Sequence, residues 1–185
     1  MNAPSDLAPA PFGWQRAAEA GLRFRPITDA DLPFLYEVYA STRTEELAPV
    51  AWSEAQKTAF LTMQFRAQHA DYQQNYPGAD RLLVVMPADQ PAGRLYLERG
   101  KRAHVVIDIA LLPEHRGQGL GAAIMRDLMD EAARAGKLLS IHVEKFNPAL
   151  HLYRRLGFRT VEDKGVYDLM HWTAESQSAS ENVSG

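Results

Sequence analysis

The hydrophobic positions between Leu22 and Trp172 change period repeatedly, and each change marks an element. Leu22–Ile27 alternates and predicts a strand. Thr28 or Asp29 then caps a helix that tolerates Pro33 in its first turn and lines up Leu32, Leu35, Val38 and Tyr39. Ser53 caps a longer helix from Glu54 to about Gln74. It carries two apolar stripes side by side: Phe60, Met63 and Ala67, and then Leu61, Phe65, Gln68 and Tyr72. So broad a face predicts core contact, with a cleft wall as the alternative. Arg81–Met86, Arg94–Arg99 and His104–Leu112 read as strands, the first two joined by a turn over Pro87–Gly93. A helix over Leu120–Ala135 stops at Gly136, and Leu138–Lys145 alternates again. A short helix from Pro148 to Leu156 precedes a hairpin of Phe158–Val161 and Val166–Trp172. The order β-α-α-β-β-β-α-β-α-β-β implies an α+β fold. Its mixed, mostly antiparallel central sheet would be flanked by four helices.

Composition narrows the picture. The chain of 185 residues suits one domain with a real core. Residues 1–21 read as a flexible leader, because Pro4, Pro9 and Pro11 oppose regular structure. Residues 22–174 form the domain, and the small polar tail 175–185 reads as disordered. A formal net charge of −3 gives no general pull toward nucleic acid or anionic membrane. The chain has no cysteine, which excludes disulfides, thiolate metal sites and a cysteine nucleophile. No apolar run approaches a membrane span, so a soluble, cytoplasmic protein without a metal is expected, and a homodimer is one open form.

The chemistry concentrates in Asp108-Ile-Ala-Leu-Leu-Pro-Glu-His-Arg-Gly-Gln-Gly-Leu-Gly121. A strand ends at Pro113, Arg116 follows in a loop, and Gly117, Gly119 and Gly121 lead into an amphipathic helix. A helix N-terminus offers unpaired amides and the positive end of its dipole, and glycines allow close approach of a ligand. Together they suit a phosphate or pyrophosphate. Arg116 can add a charged donor. The bland alternative is a tight strand-to-helix turn. A P-loop fits poorly, because Ala122-Ala123 stands where Lys-Ser/Thr is needed. A dinucleotide fingerprint is opposed by the glycine spacing and by the mid-chain position.

Arg116-Gly-Gln-Gly-Leu-Gly121 resembles the Gln/Arg-x-x-Gly-x-Gly/Ala signature of the GNAT superfamily of N-acetyltransferases. Asn147-Pro-Ala-Leu-His-Leu-Tyr153-Arg-Arg-Leu-Gly157-Phe158 resembles the second block of that family, Asn…Leu-Tyr-x-x-x-Gly-Phe. Asn147 and Tyr153 are six positions apart here, against seven in many members.

The resemblance implies acetyl-CoA as co-substrate and direct transfer to an amine, without a covalent enzyme intermediate. The backbone of Ile109, Ala110 and Leu111 would pair with the pantetheine arm. Arg116, Gly117, Gln118, Gly119, Leu120 and Gly121 would hold the pyrophosphate. Tyr153 would donate to the leaving thiolate, since a phenol with a pKa of about 10 lies near a thiol; the alternative is a core tyrosine. The base is Asp108, Glu98 or His142, or else solvent. In the ribosomal-protein alanine acetyltransferases a glutamate stands at the offset His142 occupies. Asp108 could equally be a structural carboxylate paired with an arginine. Asn147 would contact the cofactor or cap the helix beginning at Pro148.

Acceptor choice is expected from the first two helices, their loop (43–52) with Glu45 and Glu46, and the closing hairpin. Trp52, Gln64, Gln68 and Tyr72 are candidates for a wall, with ordinary surface as the alternative. A small molecule, a protein N-terminus or a lysine all fit as acceptor. Two rival functions are a non-catalytic acetyl-CoA sensor and a nucleotide-phosphate binder.

Overall fold

The computed structural model describes residues 13–175. In chain order the elements are α1 (Gln15–Glu19), β1 (Arg23–Pro26), α2 (Leu32–Leu47), α3 (Glu54–Asn75), β2 (Asp80–Met86), β3 (Gln90–Arg99), β4 (Ala103–Leu111), α4 (Leu120–Arg134), β5 (Leu138–Glu144), α5 (Leu150–Arg155), β6 (Arg159–Asp163) and β7 (Tyr167–Trp172). The strands form one sheet in the order β1-β2-β3-β4-β5-β7-β6. Among the described residues only β4 and β5 run parallel; every other neighbouring pair is antiparallel. The α+β order expected from the periodicity is present, with α1 added in front.

Two hydrophobic layers explain the patterning. On one face Leu82, Val84, Leu95, Leu97, Ile141 and Val143 pack with Ile124, Met125 and Leu128 of α4 and with Leu150 and Tyr153 of α5. On the other, Leu83 and Val85 pack with Leu35 and Tyr39 of α2 and Phe65 of α3. β2 is covered on both sides, so its sequence reads as an unbroken apolar run. Ser53 caps α3 in a reciprocal box with Gln56. Thr28 and Asp31 form the same kind of box ahead of α2, with a single 3-10 turn between cap and helix.

Three expectations need correction. The leader ends earlier than residue 21, because Trp14 is 1% exposed and Ala17 is fully buried in the core. Trp14 meets Phe24 edge-on at 4.8 Å and donates its indole N–H to Glu131 at 2.8 Å. The Asp127 carboxylate accepts the amides of Arg16 and Ala17, standing in for the cap the helix lacks in its own sequence. The rest of the leader (1–12) and the tail from 176 lie outside the described residues. Second, β3 starts at Gln90, inside the segment expected to be a turn, which shrinks to Pro87–Asp89. Third, the Phe60, Met63 and Ala67 stripe of α3 is not core: Met63 is 57% exposed, and Phe60 meets a half-exposed Trp52.

Candidate active site

The site lies where the parallel pair comes apart. β4 pairs with β5 only from Ala103 to Val106, against Leu138 to Ile141. Beyond that point neither strand hydrogen-bonds the other, so the backbone of Ile107–Leu111 presents an unpaired edge toward β5. A bulge coincides with the parting. Tyr96 opposes Asp108 while Leu97 opposes Val106, leaving Ile107 with no partner on β3. The extra residue reverses the alternation. Val106, Ile109 and Leu111 all belong to the α4-side core, and Asp108 turns to the opposite face with Arg94 and Tyr96. Gly93 makes the close approach of β3 and β4 possible, since a Cβ there would stand 2.2 Å from the Ala110 carbonyl oxygen.

The far end of β4 leads into the glycine turn. Gly117 (φ +70°) and Gly119 (φ +80°) occupy the left-handed region, and Gly119 is the residue before the first turn of α4. Among the described residues, no atom lies within 4 Å of where their Cβ atoms would stand, so the turn faces open space. Gly121 faces Leu152 of α5 at 3.9 Å by the same measure. Leu120 is buried at 6% exposure, so its side chain anchors α4 and only its amide can serve a ligand. Gln118 folds back onto the Glu114 carbonyl at 2.6 Å. Arg116 donates Nε–H to the Leu111 carbonyl at 2.8 Å and Nη2–H to Ser41 Oγ at 2.9 Å. It therefore staples the end of β4 to α2 as well as leading into the glycine turn.

Asp108 lies just past the parting of β4 and β5, and Tyr153 lies within reach of its charge. Asp108 Oδ2 lies 2.7 Å from Arg94 Nη2, and both side chains are largely buried. Arg94 also donates to Gln68 Oε1 of α3 at 3.0 Å. The ion pair expected as one alternative for Asp108 is thus present. Beside it, Arg94 Nε and the Tyr96 hydroxyl are buried with no hydrogen-bond partner among the described residues. Tyr153 is 4% exposed and packs edge-on against Phe158. Burial, and then the charge of Asp108, push its phenol well above the usual value. The same two causes act on Tyr72, which stands over Tyr96 at 5.7 Å. Asp108 therefore lies within electrostatic reach of two protonated phenols.

The other candidates fall elsewhere. Glu98 opposes Val105, where β4 is still paired with β5. His142 is exposed on β5; its ring is held below the usual value by burial first and by Lys164 and His171 on the β6–β7 hairpin, against the pull of Glu162. Asn147 Oδ1 accepts the Ala149 amide at 2.9 Å in the turn ahead of α5, which begins at Leu150 rather than at the expected Pro148 and has Ala149, not Asn147, as its N-cap. Of the expected wall, Gln68 and Tyr72 reach the cleft, while Trp52 and Gln64 are exposed. Glu45 is exposed, and Glu46 pairs with Arg43. Sequence reasoning passed over Arg94, Tyr96, Ser41, Arg43, Glu144 and Tyr167. The one available signal was the polar alternation of Arg94, Tyr96 and Glu98 along β3.

An α+β sheet parted between two parallel strands, with a glycine turn opening a helix at the split, is a fold that solved acetyltransferases share. Residues 78–160 match the model of the Acetyltransferase (GNAT) domain. A segment of 53 residues is 45% identical to a streptothricin acetyltransferase of Streptomyces lavendulae, and it spans 28% of each chain. The PaiA N-acetyltransferase of Thermoplasma acidophilum, solved with coenzyme A, superposes with a TM-score of 0.62 at 16% identity, over 82% of this chain and 98% of that one. An acetyltransferase of Thermus thermophilus gives a TM-score of 0.59 at 20% identity, over 82% of this chain and 96% of that one.

Proposed function

We propose that the protein transfers the acetyl group of acetyl-CoA directly to a primary amine. The observation that carries this reading is the parting of β4 and β5 after Val106, with Asp108 and Tyr153 at the split and the turn 116–121 beyond it. In this reading the free edge of Ile109–Leu111 receives the pantetheine amides. The amides of Gly117–Gly121 take the pyrophosphate. Arg116, already bonded through Nε and Nη2, adds its remaining donors and its charge.

The chemistry requires a neutral amine to attack the thioester carbonyl. The C–N bond forms, the C–S bond breaks, and the sulfur leaves with a proton or a hydrogen bond. Tyr153 is our donor to that sulfur. Its raised phenol pKa keeps it protonated at neutral pH, which favours a persistent hydrogen bond over the near-balanced proton transfer expected of an ordinary tyrosine. Asp108 is our acceptor for the amine proton, directly or through a water. Its place beside Tyr153 and Tyr72 favours it over Glu98 and His142. The similarity to a streptothricin acetyltransferase favours a small-molecule amine over a protein. The absence of cysteine suits a cytoplasmic location.

The experiment is CoA-thiol release from acetyl-CoA against a panel of small amines, with wild type, Asp108→Asn and Tyr153→Phe. Amine-dependent release that both variants reduce supports the reading. Acetyl-CoA binding without release for any amine would leave a sensor in its place.

A further inference from the structure

Glu144 ends β5 on the sheet face that carries α2 and α3, the same face to which the bulge turns Asp108. Ile141 and Val143 of the same strand point into the opposite core. Arg43 of α2 holds both Glu144 oxygens, with Nη2 to Oε1 at 2.9 Å and Nη1 to Oε2 at 3.2 Å. The Tyr167 hydroxyl lies 3.4 Å from Oε1. The pair is accessible: the side chains are 24% and 27% exposed. Tyr72, whose ring meets that of Tyr96 edge-on at 5.7 Å, lies within electrostatic reach of Asp108, Arg94 and Tyr167. Asp108 past the split and Glu144 at the end of β5 thus face the same side of the sheet.

The two arginines that serve these carboxylates differ. Arg94 is 3% exposed and fixed between Asp108 and Gln68. Arg43 has somewhere else to go. Its Nη1 already lies 3.0 Å from Glu46 Oε1, one turn along α2, and its guanidinium sits 5.7 Å over the Tyr39 ring. It can release Glu144 and keep a carboxylate and an aromatic face. Glu144 has no such reserve. If Arg43 leaves, a half-buried carboxylate needs another cation. A ligand ammonium meets that need and gains the ring of Tyr167, whereas a neutral or anionic group does not.

We propose that Glu144 determines acceptor specificity by receiving a second cationic group of the acceptor, which displaces Arg43 onto Glu46. The acceptor is then a diamine or larger polycation that reacts through one amine near Asp108 and is anchored through the other. This rests on the acetyl-transfer reading for the location of the reacting amine. Paired strands lie about 4.8 Å apart and these two have separated, so several atoms must connect the two cationic groups.

The test is calorimetric titration of the CoA-bound protein with 1,4-diaminobutane and with butylamine, using wild type, Glu144→Gln and Arg43→Gln. Wild type is expected to prefer the diamine. Glu144→Gln should weaken the diamine about tenfold more than the monoamine, the size of one charge-assisted contact. Arg43→Gln should tighten the diamine, an opposite sign that no loss of folding can produce. Equal weakening of both amines in Glu144→Gln overturns the proposal, as does a diamine that binds no better than butylamine. Turnover on the same samples separates the two readings. Diamine preference without acetylation refutes acetyl transfer and keeps the anchor; acetylation of both amines with equal KM refutes the anchor.

Discussion

Tyr153, Asp108 and Gly93 carry most of the account at the scale of single residues. Tyr153→Phe removes the donor to the leaving sulfur and keeps the packing on Phe158. It should lower turnover by about two orders of magnitude while acetyl-CoA affinity holds; undiminished turnover would remove the role. Gly93→Ala drives a Cβ against the Ala110 carbonyl. It should cost about 2–4 kcal/mol in denaturant unfolding and lower activity through displaced β4 backbone. Tyr153 was legible because it sits in a block, Leu-Tyr-x-x-x-Gly-Phe, whose spacing is distinctive. Arg94 was not, because nothing in a chain marks which strand arginine will be buried against a carboxylate. The orientation of Asp108 was hidden for a related reason. Strict alternation would send it to the same face as Val106, and only the bulge at Ile107 turns it into the cleft.

Long elements with a clear period were readable, and those held by distant contacts were not. α4 and the strands follow from their own patterning. α1 has five residues, too few to persist alone, and exists because Asp127 and Glu131 of α4 receive it. Asp127→Ala leaves two α1 amides without their acceptor. It should lower stability by about 2–3 kcal/mol and raise amide exchange selectively over residues 14–21; uniform exchange would contradict the docking. His104 supplies a pH test of the β4–α4 contact. Burial, helped by Lys137 and Arg99 and opposed by Glu131, holds its ring below the usual value. The unfolded chain titrates near pH 6.5, so below that the unfolded state takes up the proton more readily. Stability is complete above about pH 6.5 and falls as pH drops beneath it. The melting temperature of wild type should therefore fall more than that of His104→Gln between about pH 7.5 and about pH 5.5. Parallel slopes would show that this histidine does not titrate on unfolding.

For the whole molecule, the strand and helix order gave the α+β architecture, and the split of β4 from β5 leaves a free β4 edge that carries Asp108 and runs toward the glycine turn before α4. No helix among the described residues is long and apolar enough to cross a membrane. The donor half of the reaction was legible from the glycine turn. On the proposed acceptor side, α2, α3 and the closing hairpin were legible as elements, but Arg43, Glu144 and Tyr167 were not, because the fold brings them together and they share no motif. A ligand that binds only the folded state raises its melting temperature, so acetyl-CoA should stabilise the protein and ATP should not. Acetyl transfer itself is tested most directly by CoA-thiol release from acetyl-CoA across a panel of small mono- and diamines, read against a blank without amine. Release that depends on the amine, is largest for diamines and falls sharply in Tyr153→Phe is the predicted result. Release no faster than the blank for every amine, from protein that binds acetyl-CoA, would contradict it.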